Sequence, residues 1–109
     1  MIYDLIVIGG GPAGIMAAGQ AASKGAKVLL LEKNNRLGIK LVITGKGRCN
    51  ITNAEFDTKN LVEKFGKKGR FLFYALSTYT NKDIIDFFES RKLPTKVERG
   101  NRVFPVSDS

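Results

Sequence analysis

The stretch that most constrains this chain is Ile8-Gly9-Gly10-Gly11-Pro12-Ala13-Gly14, set between an apolar run and an alanine-rich one. Tyr3-Asp4-Leu5-Ile6-Val7-Ile8 is almost continuously apolar, the pattern of a strand buried on both faces of a parallel sheet. Ile15 to Lys24 is rich in helix-forming alanine, and Gly25 stands where such a helix would end. Lys27-Val28-Leu29-Leu30-Leu31-Glu32 then reads as a second buried strand that finishes on an acid. The order is strand, glycine turn, helix, strand.

Gly9, Gly11 and Gly14 occupy the glycine positions of G-x-G-x-x-G. In that pattern the first allows a tight turn, the second lets backbone approach a pyrophosphate, and the third lets helix and strand pack closely. Pro12 falls where a new helix has unsatisfied N–H groups anyway, so its missing donor costs little. The helix-start amides around Ala13 and the positive end of the dipole then face the phosphates. Glu32 lies eighteen positions past Gly14, near the spacing at which an acid receives a ribose 2′-hydroxyl. A carboxylate there repels a 2′-phosphate, so an unphosphorylated adenosine is favoured. A glycine turn alone is a weak signal, because a strand–helix connection with no ligand also uses glycine. The flanking strands, the helix and the terminal acid together read as a dinucleotide-binding βαβ unit. Ala17, Ala18, Ala21 and Ala22 are assigned only to close helix–sheet packing.

At 109 residues the chain is at most one domain, whereas a full dinucleotide fold is built from two such halves. No later stretch repeats the pattern, so a piece of a longer protein is expected. The net charge is +8, and residues 33 to 70 carry ten basic residues against the acids Glu55, Asp57 and Glu63. A basic surface of this kind attracts nucleic acid, an anionic membrane or an anionic cofactor; for Lys64, Lys67, Lys68 and Arg70 a solvated face is the simpler reading. The single cysteine, Cys49, forms no internal disulfide, and no apolar run reaches the length of a membrane span. A soluble, cytoplasmic chain with no membrane partner and no metal site is expected.

Residues 33 to 53 read mostly as loop, with Lys40-Leu41-Val42-Ile43 a helical turn or a strand. Within them, Thr44-Gly45-Lys46-Gly47-Arg48-Cys49-Asn50 is a second candidate site, since glycines beside amides and cations make a concavity for an anion or a polar ring edge. An ordinary polar surface loop fits it equally. It is not a Walker loop, because Lys46 is followed by Gly47 rather than Ser or Thr. Leu61, Val62 and Phe65 suggest a short helix, and Leu72, Ala75, Leu76 and Tyr79 predict a helix over 70–79 with that face inward. Thr80-Asn81-Lys82-Asp83 matches a capping box opening a helix with Ile84, Ile85 and Phe88 in the core, closed near Arg91, Lys92 and Pro94. Residues 95–99 and 102–104, joined by Gly100-Asn101, read as a hairpin.

With these motifs in place the chain resembles the N-terminal end of the BaiN/RdsA-type flavoproteins, a family of NAD(P)/FAD-dependent oxidoreductases. The resemblance covers essentially the whole chain. It rests on Gly9 to Gly14, Glu32-Lys33, Gly38-Ile39-Lys40, the string from Gly45 to Asn53, and Gly100-Asn101-Arg102-Val103-Phe104-Pro105-Val106-Ser107-Asp108. It implies an α/β fold: the N-terminal part of a Rossmann-like FAD-binding domain spanning residues 1–109, followed by helices and a β-hairpin, with the rest of that domain and an inserted substrate domain missing. It implies FAD with its ADP end on Gly9, Gly11, Pro12, Ala13, Gly14, Glu32 and Lys33. Gly38, Lys40, Gly45, Gly47, Arg48, Cys49 and Asn50 would approach the ribityl–isoalloxazine end. The family chemistry passes electrons from NAD(P)H through FAD to an organic acceptor, and catalytic residues are not assigned. Lys40 or Arg48 would stabilise negative charge on the reduced ring. Cys49 has no partner cysteine for a dithiol relay and is read as a small packed thiol.

Two other readings remain open. An NAD-dependent dehydrogenase shares the glycine fingerprint and the acid. A nucleic-acid-binding module is disfavoured, because no RNP, zinc or helix-turn-helix signature is present and the basic residues are read as not interleaved with exposed aromatics. The substrate and the oligomeric state are not legible.

Overall fold

The computed structural model describes all 109 residues, which divide into two compact units, Met1–Thr44 and Gly45–Ser109.

In the first unit, β1 (Leu5–Ile8) and β2 (Val28–Leu31) lie parallel, with Leu5 opposite Val28 and Ile8 opposite Leu31. The helix α1 (Pro12–Ser23) connects them and packs on both strands. Pro12 occupies its first turn, as expected from its missing N–H, and Gly25 (φ +90) follows its end, with its amide returning to the Ala22 carbonyl at 2.9 Å. The βαβ unit is therefore present. The expectation of burial on both faces fails: Val7 turns toward Gly14 of α1, but Ile6 and Ile8 alternate to the other side and stand 54% and 86% exposed. Continuous apolarity marks a strand meant for two covered faces, and a lone crossover helix covers one. A short helix, α2 (Ile39–Ile43), follows; the Lys40–Ile43 stretch is thus helical.

The second unit is built on an antiparallel sheet of order β3 (Thr52–Asn53), β5 (Arg102–Pro105), β4 (Thr95–Glu98). The hairpin read from the sequence is β4 and β5; the third strand was not legible. Val103, Phe104 and Pro105 are fully buried at the centre. Of the helices, α5 (Asn81–Glu89) packs on β3 and β4, while α3 (Thr58–Glu63), a 3₁₀ turn (Gly66–Leu72) and α4 (Phe73–Thr78) pack against one another.

The capping box of α5 is complete. The Asp83 amide donates to Thr80 Oγ1 at 3.1 Å and the Thr80 amide donates to Asp83 Oδ2 at 2.8 Å. At the other end the Arg91 guanidinium donates to the Phe87 carbonyl at 2.9 Å and stacks on its ring, the expected use of a cation at a helix C-terminus. The helix predicted over 70–79 is a 3₁₀ turn running into a short α-helix. Leu72 and Leu76 are half-buried as expected, whereas Ala75 and Tyr79 are exposed, since the 3₁₀ start rotates the inward row away from them. Leu61 and Val62 are core, but Phe65 is exposed.

Candidate dinucleotide site

The site of the first unit follows from the C-terminal ends of two parallel strands. Gly9 leaves β1 with φ +101, a left-handed conformation that favours glycine, and its amide donates to the Leu31 carbonyl at 2.8 Å. Gly14 lies against that turn so closely that a Cβ there would overlap the Gly9 carbonyl oxygen, so the third glycine serves helix–strand approach as its position predicted. Gly11 is the opposite case, since a Cβ there would meet no atom within 4 Å. Open space therefore lies over the turn where the N-terminus of a twelve-residue helix begins. The amides of that first turn have no intrahelical partner, and the dipole adds partial positive charge.

Glu32 closes the turn from the side. Its Oε2 accepts from the Gly10 amide at 2.7 Å, and its Oε1 accepts from the Asn34 amide and side chain, both at 2.9 Å. The Asn34 and Gly10 amides hold the Glu32 carboxyl below its ordinary value of 4.5, so it is ionised at neutral pH. A carboxylate offers about four lone pairs, and these bonds leave one for a hydroxyl. The Gly38 amide donates to the Gly10 carbonyl at 2.8 Å, bringing the start of α2 against the turn.

These elements enclose a cavity of about 640 Å³. Of the residues read from the sequence, Gly9, Gly11, Glu32, Lys33 and Lys40 line it. Pro12, Ala13 and Gly14 open α1 beneath the turn, and Gly38 is buried behind it. Sequence reasoning missed Gly10, Asn34 and Arg36, which also line it. Gly10 stood inside the motif as an unassigned position, yet a Cβ there would overlap the Leu37 side chain and press Glu32 Oε2 at 3.0 Å. The donor set fits an adenine dinucleotide: free helix-start amides and the cations Lys33, Arg36 and Lys40 for phosphates, an ionised acid for a ribose, and apolar Ile8, Leu31 and Ile39 for a ring.

Gly45, Gly47, Arg48, Cys49 and Asn50 belong to the second unit. Gly45 (φ +59) is pressed against the Phe104 ring, which a Cβ would meet at 2.6 Å. The Asn50 amide, oriented by its surroundings, donates to the Thr52 and Val103 carbonyls at 3.0 and 3.2 Å. Cys49 is half-buried with φ +65. Arg48 Nη1 donates to both oxygens of Glu98 at 3.0 and 2.9 Å and reaches Asp108 Oδ1 at 3.4 Å, while its guanidinium lies 4.0 Å from the Phe104 ring centre. Lys96 pairs with the same two acids, at 3.3 Å to Glu98 and 2.8 Å to Asp108. The specific Arg-Cys-Asn and Asp108 motifs thus meet each other inside one unit, which spacing in the sequence did not reveal.

A family model for the HI0933-like protein Rossmann domain matches residues 3–109. The chain belongs to that family. This agrees with the resemblance read from its motifs. The HI0933-like chain is 39% identical over 104 residues to the 3-dehydro-bile acid delta(4,6)-reductase of Clostridium scindens, covering 94% of this chain and 24% of that protein. It is 33% identical over 84 residues to the ribosomal RNA dihydrouridine synthase of Escherichia coli, covering 77% of this chain and 20% of that protein. A shorter match, 60% over 37 residues, joins 34% of it to 9% of the digeranylgeranylglycerophospholipid reductase of Methanosarcina acetivorans. The chain therefore spans about a quarter or less of the length of these relatives. No helix is long and apolar enough to cross a membrane.

Proposed function

We propose that this chain supplies the adenosine-diphosphate end of an FAD site in a flavin-dependent oxidoreductase that takes electrons from NAD(P)H. The observation that carries the reading is the open space over Gly11, bounded by the start of α1 and by an ionised Glu32. Ala13 and Gly14 would hold the pyrophosphate through their amides, Lys33, Arg36 and Lys40 would balance its charge, and Glu32 would receive a ribose hydroxyl. Bound flavin would supply the hydride chemistry, which lies beyond the reach of these side chains. The protein's own part here is to bind, orient and exclude water. The relatives are named for a bile acid, ribosomal RNA and a phospholipid, so the acceptor is taken to be an organic molecule.

The test is titration of the purified chain with FAD and with NAD, followed by flavin fluorescence quenching and thermal shift. The Gly11→Ala variant is the control, because its methyl group occupies the ligand's space and no protein atom's. Saturable FAD binding that is lost in the variant supports the reading. Equal FAD binding by both chains overturns the placement of the pyrophosphate, and a preference for NAD favours the dehydrogenase alternative.

A further inference from the structure

Between Lys64 and Lys82 the chain holds no acidic residue. It does hold Lys64, Lys67, Lys68 and Arg70, followed at once by Phe71, Phe73 and Tyr74. The expectation that the basic residues are not interleaved with exposed aromatics fails: Phe71 and Tyr74 are 79% and 80% exposed, and Phe65 and Phe73 are exposed as well.

The geometry of the segment explains how they come to share a surface. In a 3₁₀ turn, residues three apart lie in line. Gly69 and Leu72 fall on one such row, and they are buried and half-buried. Gly69 sits so close to α3 that a Cβ would overlap the Val62 carbonyl oxygen, so this row is fixed against the protein. The remaining rows are Lys67, Arg70, Phe73 and Lys68, Phe71, Tyr74, every member of which is exposed. Helical backbone continues through Leu72 and Phe73 (φ −80 and −57), which carries both rows into α4. Each outward row begins on cations and ends on an aromatic ring. Lys67, Lys68 and Arg70 take part in none of the chain's ion pairs, which gather instead around Arg48, Lys96 and Lys82.

Unneutralised cations next to exposed rings match one chemistry closely. Phosphates pair with the cations, and unstacked bases lie flat on the rings without regard to sequence. A duplex hides its base faces and offers nothing to the rings. A lipid surface is served by a continuous apolar helix face lying in the interface, and here one row of the segment is turned into the protein and the rows that remain begin on charge. A second copy of the chain would bring like charge against like. We propose that the surface formed by Lys67, Lys68, Arg70, Phe71 and Tyr74 binds single-stranded nucleic acid, with phosphates on the three cations and bases stacked on the two rings. It uses no residue of the dinucleotide cavity, so either can fail without the other.

The experiment is fluorescence anisotropy of end-labelled twelve-nucleotide oligo-U and oligo-dT with the purified 109-residue chain, across a salt series. Three phosphate contacts should give a log–log salt slope of about −2. The double variant Phe71→Ala/Tyr74→Ala should weaken binding by about tenfold or more with the slope unchanged. The triple variant Lys67→Gln/Lys68→Gln/Arg70→Gln should flatten the slope. Lys24→Gln/Lys27→Gln, which removes two positive charges elsewhere, should leave the slope intact. Circular dichroism checks that each variant keeps its fold, and the exposed positions make that the expected result. Tighter binding of oligo-U assigns RNA and of oligo-dT assigns DNA; both support the proposal. It is overturned by no binding of either strand, by preference for a duplex of equal length, by affinity indifferent to the loss of both rings, or by binding to phosphatidylserine vesicles without binding to oligonucleotide.

Discussion

The Gly10 amide donates a 2.7 Å hydrogen bond to the carboxylate of Glu32, 22 residues further along the chain. The acid at the end of β2 thereby pins the glycine turn at the end of β1. The side chain proposed as ribose acceptor is thus also a structural clamp. The same bond helps keep the carboxyl ionised.

Glu32→Gln keeps an acceptor and removes the charge. The chain should discriminate 5′-ADP from its 2′-phosphorylated analogue, because the carboxylate repels the second phosphate. In the variant that ratio should narrow by at least about fivefold, since two unit charges about 4 Å apart repel by about 1 kcal/mol even at the dielectric constant of water. Competition of the two nucleotides against a fluorescent adenosine diphosphate reads it directly. An unchanged ratio would remove Glu32 from the ribose site.

The glycines of the turn should separate in stability. Gly14→Ala forces a methyl group onto the Gly9 carbonyl and should destabilise the chain by about 1–3 kcal/mol. Gly11→Ala meets no atom within 4 Å and should change stability by no more than about 0.5 kcal/mol. Urea unfolding of the ligand-free chain distinguishes them. Equal losses would mean that Gly11 is also held by packing.

The cluster of Arg48, Lys96, Glu98 and Asp108 should make stability fall in acid. The Arg48 guanidinium holds the Glu98 carboxyl below its ordinary value of 4.5, and the Lys96 ammonium holds Asp108 below 3.8. Folded-state values lower than unfolded ones mean that the unfolded chain takes up protons first. The contribution is therefore complete above the ordinary values and is lost as pH falls through the lower folded ones. Glu32 and Asp83, also held low by hydrogen bonds, add to the decline. Thermal unfolding midpoints should drop as pH is lowered from about 7 to about 2, through and below the ordinary carboxylate range of about 4, and less steeply in Asp108→Asn. An identical drop in the variant would show that Asp108 contributes nothing to it.

Legibility followed how local each determinant was. The glycine turn, α1 and the α5 capping box are written within a few residues, and each was read correctly. The strand Thr52–Asn53 was not, because two residues carry no period and the pairing comes from β5, through the Ile51 amide on the Val103 carbonyl (2.8 Å) and the Ala54 amide on the Asn101 carbonyl (2.7 Å). Asn81 was read only as part of a helix start. It is buried, and its side-chain amide donates to the Asn53 and Glu55 carbonyls, both at 2.6 Å, joining α5 to the β3 segment. The outward turn of Phe71, Phe73 and Tyr74 was not read from the sequence, because the close approach of Gly69 to α3 decides which row of the 3₁₀ turn packs inward.

The sequence by itself determined the βαβ unit, its glycine turn and the acid beside it, because strand apolarity, glycine conformational freedom and helix capping act over short stretches. Only the tertiary structure decided that Glu32 clamps Gly10, that Arg48 is engaged with Glu98 and Asp108, and that Phe71 and Tyr74 face solvent. Those outcomes depend on which distant atoms arrive beside a side chain, and no residue's type or spacing encodes its neighbour across the fold.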